Sequence, residues 1–188
     1  MTIPIGFIGE WQIARHGPAS RPELELRDDL GVHVSAKAEY AVRACMILAR
    51  LPPGRAMSAE AVAMRADLPG KFLEAILTEL RVAGLVATQR GPSGGCRLAR
   101  SPDQISVAEI FRVVEGPLAH VRGVRPESID YPDDGQAGGG RVLTELWIAG
   151  RAAIRSVFET TTLADLADGE LPPSVRGYLD APDAWQSH

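Results

Sequence analysis

Between Leu68 and Arg100 the chain reads LPGKFLEAILTELRVAGLVATQRGPSGGCRLAR, and this stretch restricts the fold most tightly. Leu73, Ile76, Leu77 and Leu80 recur as one helical stripe, while Lys71, Glu74, Thr78 and Arg81 share a different face. Gly84 stops that helix. Leu85 to Arg90 then alternates as a strand, the run Gly91 to Gly95 allows a tight turn, and Cys96 to Ala99 returns as a second strand. Upstream, Ser58 to about Arg65 reads as a short helix with small residues at Ala61, Val62 and Ala63. Asp67 to Gly70 forms a turn, and Pro69 is tolerated near the first turn of the next helix, Lys71 to Ala83, where a missing N–H costs nothing. Helix, turn, helix and a two-stranded ribbon make a winged helix-turn-helix. The predicted fold class is therefore mainly α, with a two-stranded wing and, further on, a long dimerisation helix.

In such a fold the start of the second helix reaches base edges in the major groove while its partner crosses the phosphate backbone. Charge has to agree. The formal net charge of −4 argues against a polyanionic partner until its distribution is read. From His33 to Arg100 there are ten Lys or Arg against five Asp or Glu, a balance of +5, so the remainder carries ten against nineteen, a balance of −9. A basic module is joined to an acidic remainder. Within that module Lys71 and Glu74 stand at the reading end, Thr78 and Arg81 follow on the same face, and a carboxylate such as Glu74 can accept from cytosine N4. The same spacing equally lets Glu74 engage Thr78 or Arg81 along the helix. At the wing, Arg90 and Arg97 flank a tip containing Ser93 and Gly94, small enough to approach a backbone or enter a minor groove. No G-K-[ST] follows that tip, so it is not a phosphate-binding nucleotide loop.

Around this core the chain divides into further segments. Residues 1–31 are broken by Pro4, Gly6, Gly9, Gly17, Pro18 and Pro22 and read as a loose extension, disordered or an annotation artefact, with Val32 as an alternative start. Residues 32–116 form the winged module. Its first helix is capped by Ser35, carries Ala38, Ala41, Val42, Cys45 and Leu48 inward, and ends at Pro52-Pro53-Gly54. Ser106 and Glu109 make a capping box for a helix through Val114. Residues 117–140 are rich in Gly, Pro and acidic side chains and read as a flexible loop or lid. Residues 141–171 carry a helix from Arg141 to Phe158 with an apolar stripe of Leu143, Leu146, Trp147, Ile154 and Phe158, then a short helix capped by Thr162 and Asp165. Such a stripe is too apolar for a lone exposed arm; the helix can fold onto its own domain, but a two-fold partner explains the stripe along with the need to bind paired half-sites. Residues 172–188 read as a mobile tail.

Two cysteines, Cys45 and Cys96, are too few for a disulfide framework, and no run approaches a membrane span, so a cytoplasmic protein is expected. Cys45 lies on the apolar side of its helix and reads as a small buried hydrophobe.

SAKAEYAVRACMILA at 35–49, KFLEAILTELRVAGLVATQRGPSGGCRLAR at 71–100, ISVAEIFRVVEGPL at 105–118 and LTELW at 143–147 resemble the Rrf-two family of bacterial transcription regulators. The resemblance covers about Val34 to Ala167. It implies a homodimer on double-stranded DNA, binding a partly palindromic operator, with a long helix crossing between subunits and a repressor's role. Carried onto this chain, the family's DNA contacts fall on Lys71 and Glu74, on Arg90 with the Gly91 to Gly95 tip, and on Lys37 and Tyr40 near the start of the first helix. Cys96 departs from the pattern, since an aromatic residue commonly follows the double glycine.

A larger departure concerns sensing. Cluster-binding members hold an iron–sulfur centre with three cysteines in the loop before the dimer helix and at its start, whereas Gly116 to Trp147 contains no cysteine and Val142 stands where the last is expected. Neither cofactor nor metal is expected; Glu145 and His120 without further ligands read as surface groups. The effector stays open between a small molecule held by the lid and dimer helix and a protein partner. No nucleophile–base pair or paired carboxylates mark an enzyme. A winged helix used only to bind proteins is the alternative, separable by salt-dependent DNA binding.

Overall fold

The computed structural model describes residues 34–91, 94–118, 124–131 and 139–186; the extension over 1–31, Ser93 and His120 lie outside them. Helix α1 (Ala36–Ala49) starts where the Ser35 hydroxyl accepts the Ala38 N–H at 3.1 Å. It buries Ala38, Ala41, Ala44, Cys45 and Leu48. Val42, expected inside, is only half-buried, and Ala44 takes its place. The small side chains let several elements press against α1 at once: α2 (Ala59–Ala66), α3 (Gly70–Val82), α4 (Val107–Val114) and the second wing strand all pack on it.

The α2–α3 corner is made by Asp67, whose φ of 52° is left-handed, with the Leu68 N–H returning to the Ala63 carbonyl at 3.0 Å. Helix α3 then buries Leu73, Ile76, Leu77 and Leu80, as the periodicity predicts. It ends at Gly84 (φ 75°), where the Leu85 N–H reaches the Leu80 carbonyl at 2.9 Å.

The wing is an antiparallel pair, β1 (Val86–Gln89) and β2 (Gly95–Leu98), in the register Val86↔Leu98 and Thr88↔Cys96. Its inner edge is not free. Cys96 also pairs with Met57, just ahead of α2, through Cys96 N–H to Met57 O at 2.7 Å and Met57 N–H to Cys96 O at 2.9 Å. Two peptide hydrogen bonds therefore tie the wing to the start of the helix-turn-helix pair, a contact made by backbone atoms that leave no side-chain signature.

After the wing, both bonds of the Ser106–Glu109 capping box start α4, and both bonds of the Thr162–Asp165 box start α6 (Leu163–Asp168). The two caps meet: Val107 N–H donates to Thr161 O and Leu163 N–H to Ile105 O, each at 2.9 Å. Leu163 is fully buried with Ile105 and Ile110. The short helix expected to accompany the dimer helix is thus part of the winged module's own core. Between these caps runs the 22-residue α5 (Gly139–Thr160). Its C-terminal end lies on α4, with Phe158 against Phe111 at a centroid distance of 4.7 Å.

Beyond α6 the structure differs from the tail predicted for 172–188. Pro173 opens a helical turn, α7 (Pro173–Arg176), where the fixed φ of proline suits a first helical position, and Val175 is buried. A 3-10 turn over Gly177–Asp180 follows. In the lid region, Pro126–Ser128 likewise forms a 3-10 turn, with Pro126 buried.

Gly95 is the backbone position on which the wing anchor depends. At φ 144° it sits where side chains are strained, and a Cβ there would fall 2.2 Å from the Met57 carbonyl oxygen. Gly91 is left-handed too (φ 105°) but faces open space. Gly91→Ala is therefore expected to lose about 1–3 kcal/mol from backbone strain alone. Gly95→Ala should lose distinctly more, because the Met57 pairing must also break. Urea unfolding of the two variants beside the parent protein measures the difference.

Candidate nucleic-acid interface

The apolar stripe of α3 fixes which side chains look outward. With Leu73, Ile76, Leu77 and Leu80 buried, the outer face comprises Lys71, Glu74, Ala75, Thr78, Arg81 and Val82, all exposed. Four of these carry the polar pattern read from sequence. Ala75 and Val82 were not singled out there, although both lie on the same face, four residues beyond Lys71 and Thr78. Val82 is 82% exposed. An unburied aliphatic residue amid polar ones suits contact with a thymine methyl, and Ala75 leaves the middle of the face low enough to enter a groove.

Polar chemistry on this face is largely uncommitted. Among the described residues Lys71, Glu74, Arg81 and Arg90 form no ion pair. Glu74 therefore does not pair with Arg81 along the helix. Thr78 is different: its hydroxyl donates to the Glu74 carbonyl at 2.8 Å. The start of α3 adds a further feature. Pro69 occupies the cap and offers no side-chain acceptor, so the first N–H groups and the positive end of the helix dipole face outward without a side-chain cap. A phosphate oxygen is the natural acceptor there.

The first helix contributes otherwise than its sequence resemblance implies. Lys37 donates to the Val114 carbonyl at 3.1 Å and pairs with Glu79 at 2.8 Å, bracing α1 between α4 and α3. Its ammonium is thereby turned to internal acceptors rather than presented on the reading face. Tyr40 is half-buried, edge-on to Phe72 at 5.7 Å, and supports the first turn of α3. Arg43, not singled out in the sequence, donates to the Ala66 carbonyl, which fastens α2 to α1, and pairs within α1 with Glu39 at 3.3 Å.

At the wing, Arg90 is exposed beside the tip. Gly94 is half-buried and donates to the Gly91 carbonyl at 2.8 Å, and a Cβ on it would fall 2.5 Å from the Gln89 carbonyl oxygen. The double glycine thus closes the turn and seats Cys96 against Met57, whatever else the tip approaches. Arg97 is half-buried and donates to the Leu98 carbonyl at 3.1 Å, in a groove shared with Leu48, Leu51 and Pro102. Arg90 is accordingly the wing cation placed to meet a ligand.

The long helix sorts the expected dimer residues into two groups. Leu143, Ile154 and Phe158 are half-buried against their own chain, and Trp147, though 39% exposed, donates to the Tyr131 hydroxyl at 3.0 Å. Leu146 belongs to a neighbouring stripe with Val142, Ala149 and Ala153, all exposed. Leu146 is 57% and Val142 54% exposed.

A basic winged helix-turn-helix with an outward, largely uncommitted α3 face and a cationic wing has the form of a DNA-binding transcriptional regulator. Residues 34–169 match the Rrf2 family, described as iron-dependent transcriptional regulators, and the chain belongs to that family. It is 42% identical over 156 residues to an HTH-type transcriptional regulator of Mycobacterium tuberculosis, covering 83% of this chain and 94% of that one. With CymR of Bacillus subtilis it shares 34% identity over 140 residues, covering 73% of this chain and 93% of the relative. The solved structure of that protein, the global cysteine regulator of B. subtilis, superposes with a TM-score of 0.61 over 74% of this chain and 98% of its own. T. potens IscR gives 0.58 at 31% identity, over 84% and 94% of the two chains.

The family's iron raises the question of ligands. Cys45 is buried within α1, where loss of solvent pushes its thiol up to about 12. Cys96 is buried on β2; burial raises its pKa, and the nearby Arg81 charge partly opposes this. Val142 is exposed on α5, and Glu145 is paired with Arg141. Among the described residues no three His, Cys, Asp or Glu side chains converge on a metal position. These donors do not fit a three-thiolate cluster.

The bracing role of Lys37 carries its own prediction. Lys37→Ala should destabilise the fold by on the order of 1 kcal/mol, the typical net worth of a hydrogen bond. The fall in melting temperature should be evident with no DNA in the sample. An unchanged melting temperature would return Lys37 to the DNA-facing role.

Proposed function

We propose that the protein is a cytoplasmic homodimeric repressor that reads a partly palindromic operator with the outer face of α3, senses without a thiolate-held iron–sulfur cluster, and couples its two half-sites through α5. The observation that carries the reading is the α3 face itself: Lys71, Glu74, Ala75, Thr78, Arg81 and Val82 exposed together above an apolar stripe, with charged groups unpaired among the described residues. Side chains that are neither packed nor paired, on the helix that this fold offers to the major groove, are what base readout needs. The cofactor reading rests on donors, since the chain has two cysteines and both belong to the winged module's core.

Mapping bound sites across the source genome identifies the operator, and fluorescence anisotropy on it then separates the roles. Arg90→Ala should weaken binding to every sequence and reduce the salt slope by about one unit if it meets one phosphate. Glu74→Ala should instead relax preference at one base pair, losing on the order of 1–3 kcal/mol of discrimination. Wild-type affinity and preference in both variants would remove this surface from the mechanism. A protein that binds no DNA in a salt-dependent way would be a protein-interaction module instead.

The dimer reading draws support from the exposed stripe of Val142, Leu146, Ala149 and Ala153, spaced four, three and four residues apart. The two alanines permit close approach of a second helix, and an apolar stripe of this length in water favours a partner. Leu146→Asp with Ala153→Asp should therefore yield folded monomers with greatly weakened operator binding. Trp147 and Ile154 make poorer probes, because their own chain holds them and their loss mixes unfolding with dissociation. Sedimentation equilibrium decides: a folded monomer from the unaltered chain would end the dimer reading.

A further inference from the structure

Four guanidinium groups converge where α4, the Pro126–Ser128 turn and α5 meet. Arg112, Arg125, Arg151 and Arg155 line a cleft of about 450 Å³, together with Glu127 and Leu118. Their mutual repulsion is half answered by carboxylates among the described residues. Glu127 pairs with Arg151 at 2.8 Å, and Glu159 is shared by Arg112 and Arg155, the latter at 3.0 Å. Among the described residues, two carboxylates against four arginines leave a local balance of +2. Arg125 forms no ion pair among the described residues.

The acidic partners record the same field. Glu127 is held below the usual carboxylate range by its own backbone N–H and by Arg151, and Glu159 by Arg155 and Arg112. Both stay ionised and cannot relieve the cleft by taking up a proton near neutrality. Arg151 is the most sheltered of the paired arginines, with its side chain 19% exposed. Concave walls concentrate a positive potential and draw in anions. Guanidinium forks, moreover, favour planar or tetrahedral oxyanions over chloride, because each can donate two parallel hydrogen bonds. The space exceeds what one inorganic ion fills, and Leu118 supplies an apolar wall for a carbon skeleton.

We propose that this cleft binds a small polyanionic metabolite, carrying phosphate or clustered carboxylate groups, with Arg125 and Arg155 as its principal oxyanion donors. Arg112 belongs to a helix of the winged module, and Arg151 and Arg155 belong to α5, so an occupant bridges the two and fixes the angle between reading head and long helix. That regulatory consequence rests on the repressor reading above. The binding itself does not.

Titration calorimetry on the full chain, without DNA and at an ionic strength held constant with chloride, tests it using pyrophosphate, citrate and orthophosphate as probes. Saturable binding of pyrophosphate or citrate is expected, tighter than that of orthophosphate. Arg125→Ala and Arg155→Gln should each weaken it about tenfold or more, the equivalent of one charge-assisted hydrogen bond. Lys71→Ala, on the α3 face, should leave it unaltered. Preference for pyrophosphate assigns a phosphorylated ligand, and preference for citrate a polycarboxylate. Heats no greater than those of acetate, or binding insensitive to both arginine substitutions, would overturn the proposal. Because no operator is present, either result leaves the DNA-binding reading to stand or fall on its own.

Discussion

Everything on the outer side of the helix-turn-helix pair depends on how the Leu73–Ile76–Leu80 row of α3 is seated on α1. All three side chains are fully buried, and Ala38, Ala41 and Ala44 of α1 belong to the same core cluster. Burial at roughly 1.5–3 kcal/mol per large aliphatic side chain makes rotation of α3 about its axis costly. Lys71, Glu74, Ala75, Thr78, Arg81 and Val82 are thereby fixed as the outer face. This outer face is the complement of the core, and no separate force has to create it. Lys37 and Arg43 then add polar braces, one reaching α3 and α4, the other the end of α2.

The wing illustrates how small residues serve internal geometry before they serve a ligand. A tip of glycines suggests access to a DNA groove. Yet Gly94 and Gly95 are the positions at which a Cβ would strike backbone oxygen, of Gln89 and of Met57. The wing is thus built as a third-strand contact with residue 57, and its orientation follows that of the helix-turn-helix pair. Arg90 is free to act at the tip because the remainder of the hairpin is held. Arg97, one strand away, faces a groove on the α1 side and bonds its own strand.

The long helix divides its labour around its circumference. One flank, with Ile154 and Phe158, is occupied by α4 and the residues near it; an adjacent flank, with Val142, Leu146, Ala149 and Ala153, is bare. The arginines of the cleft lie toward the occupied flank, where Arg112 of α4 and Arg155 of α5 share Glu159. The proposed assembly and ligand capture would therefore use different sides of one helix.

By itself the sequence determined the elements, the caps and the faces. Helical periodicity placed α3 and α5 within a few residues. Ser35, Ser106 and Thr162 announced helix starts whose cap bonds are all present, and Gly84 marked the stop before the wing. These features are legible because each depends on residues within about four positions of one another. Tertiary structure decided what no local pattern encodes. It turned Lys37 inward to Val114 and Glu79, and joined Cys96 to Met57 through peptide groups common to every residue. It brought Leu163 back into the first core, and it gathered arginines from residues 112 to 155 around one cleft. Those outcomes depend on contacts between segments far apart along the chain. Their strength comes from burial and from charge at a distance, and neither leaves a repeat in the sequence.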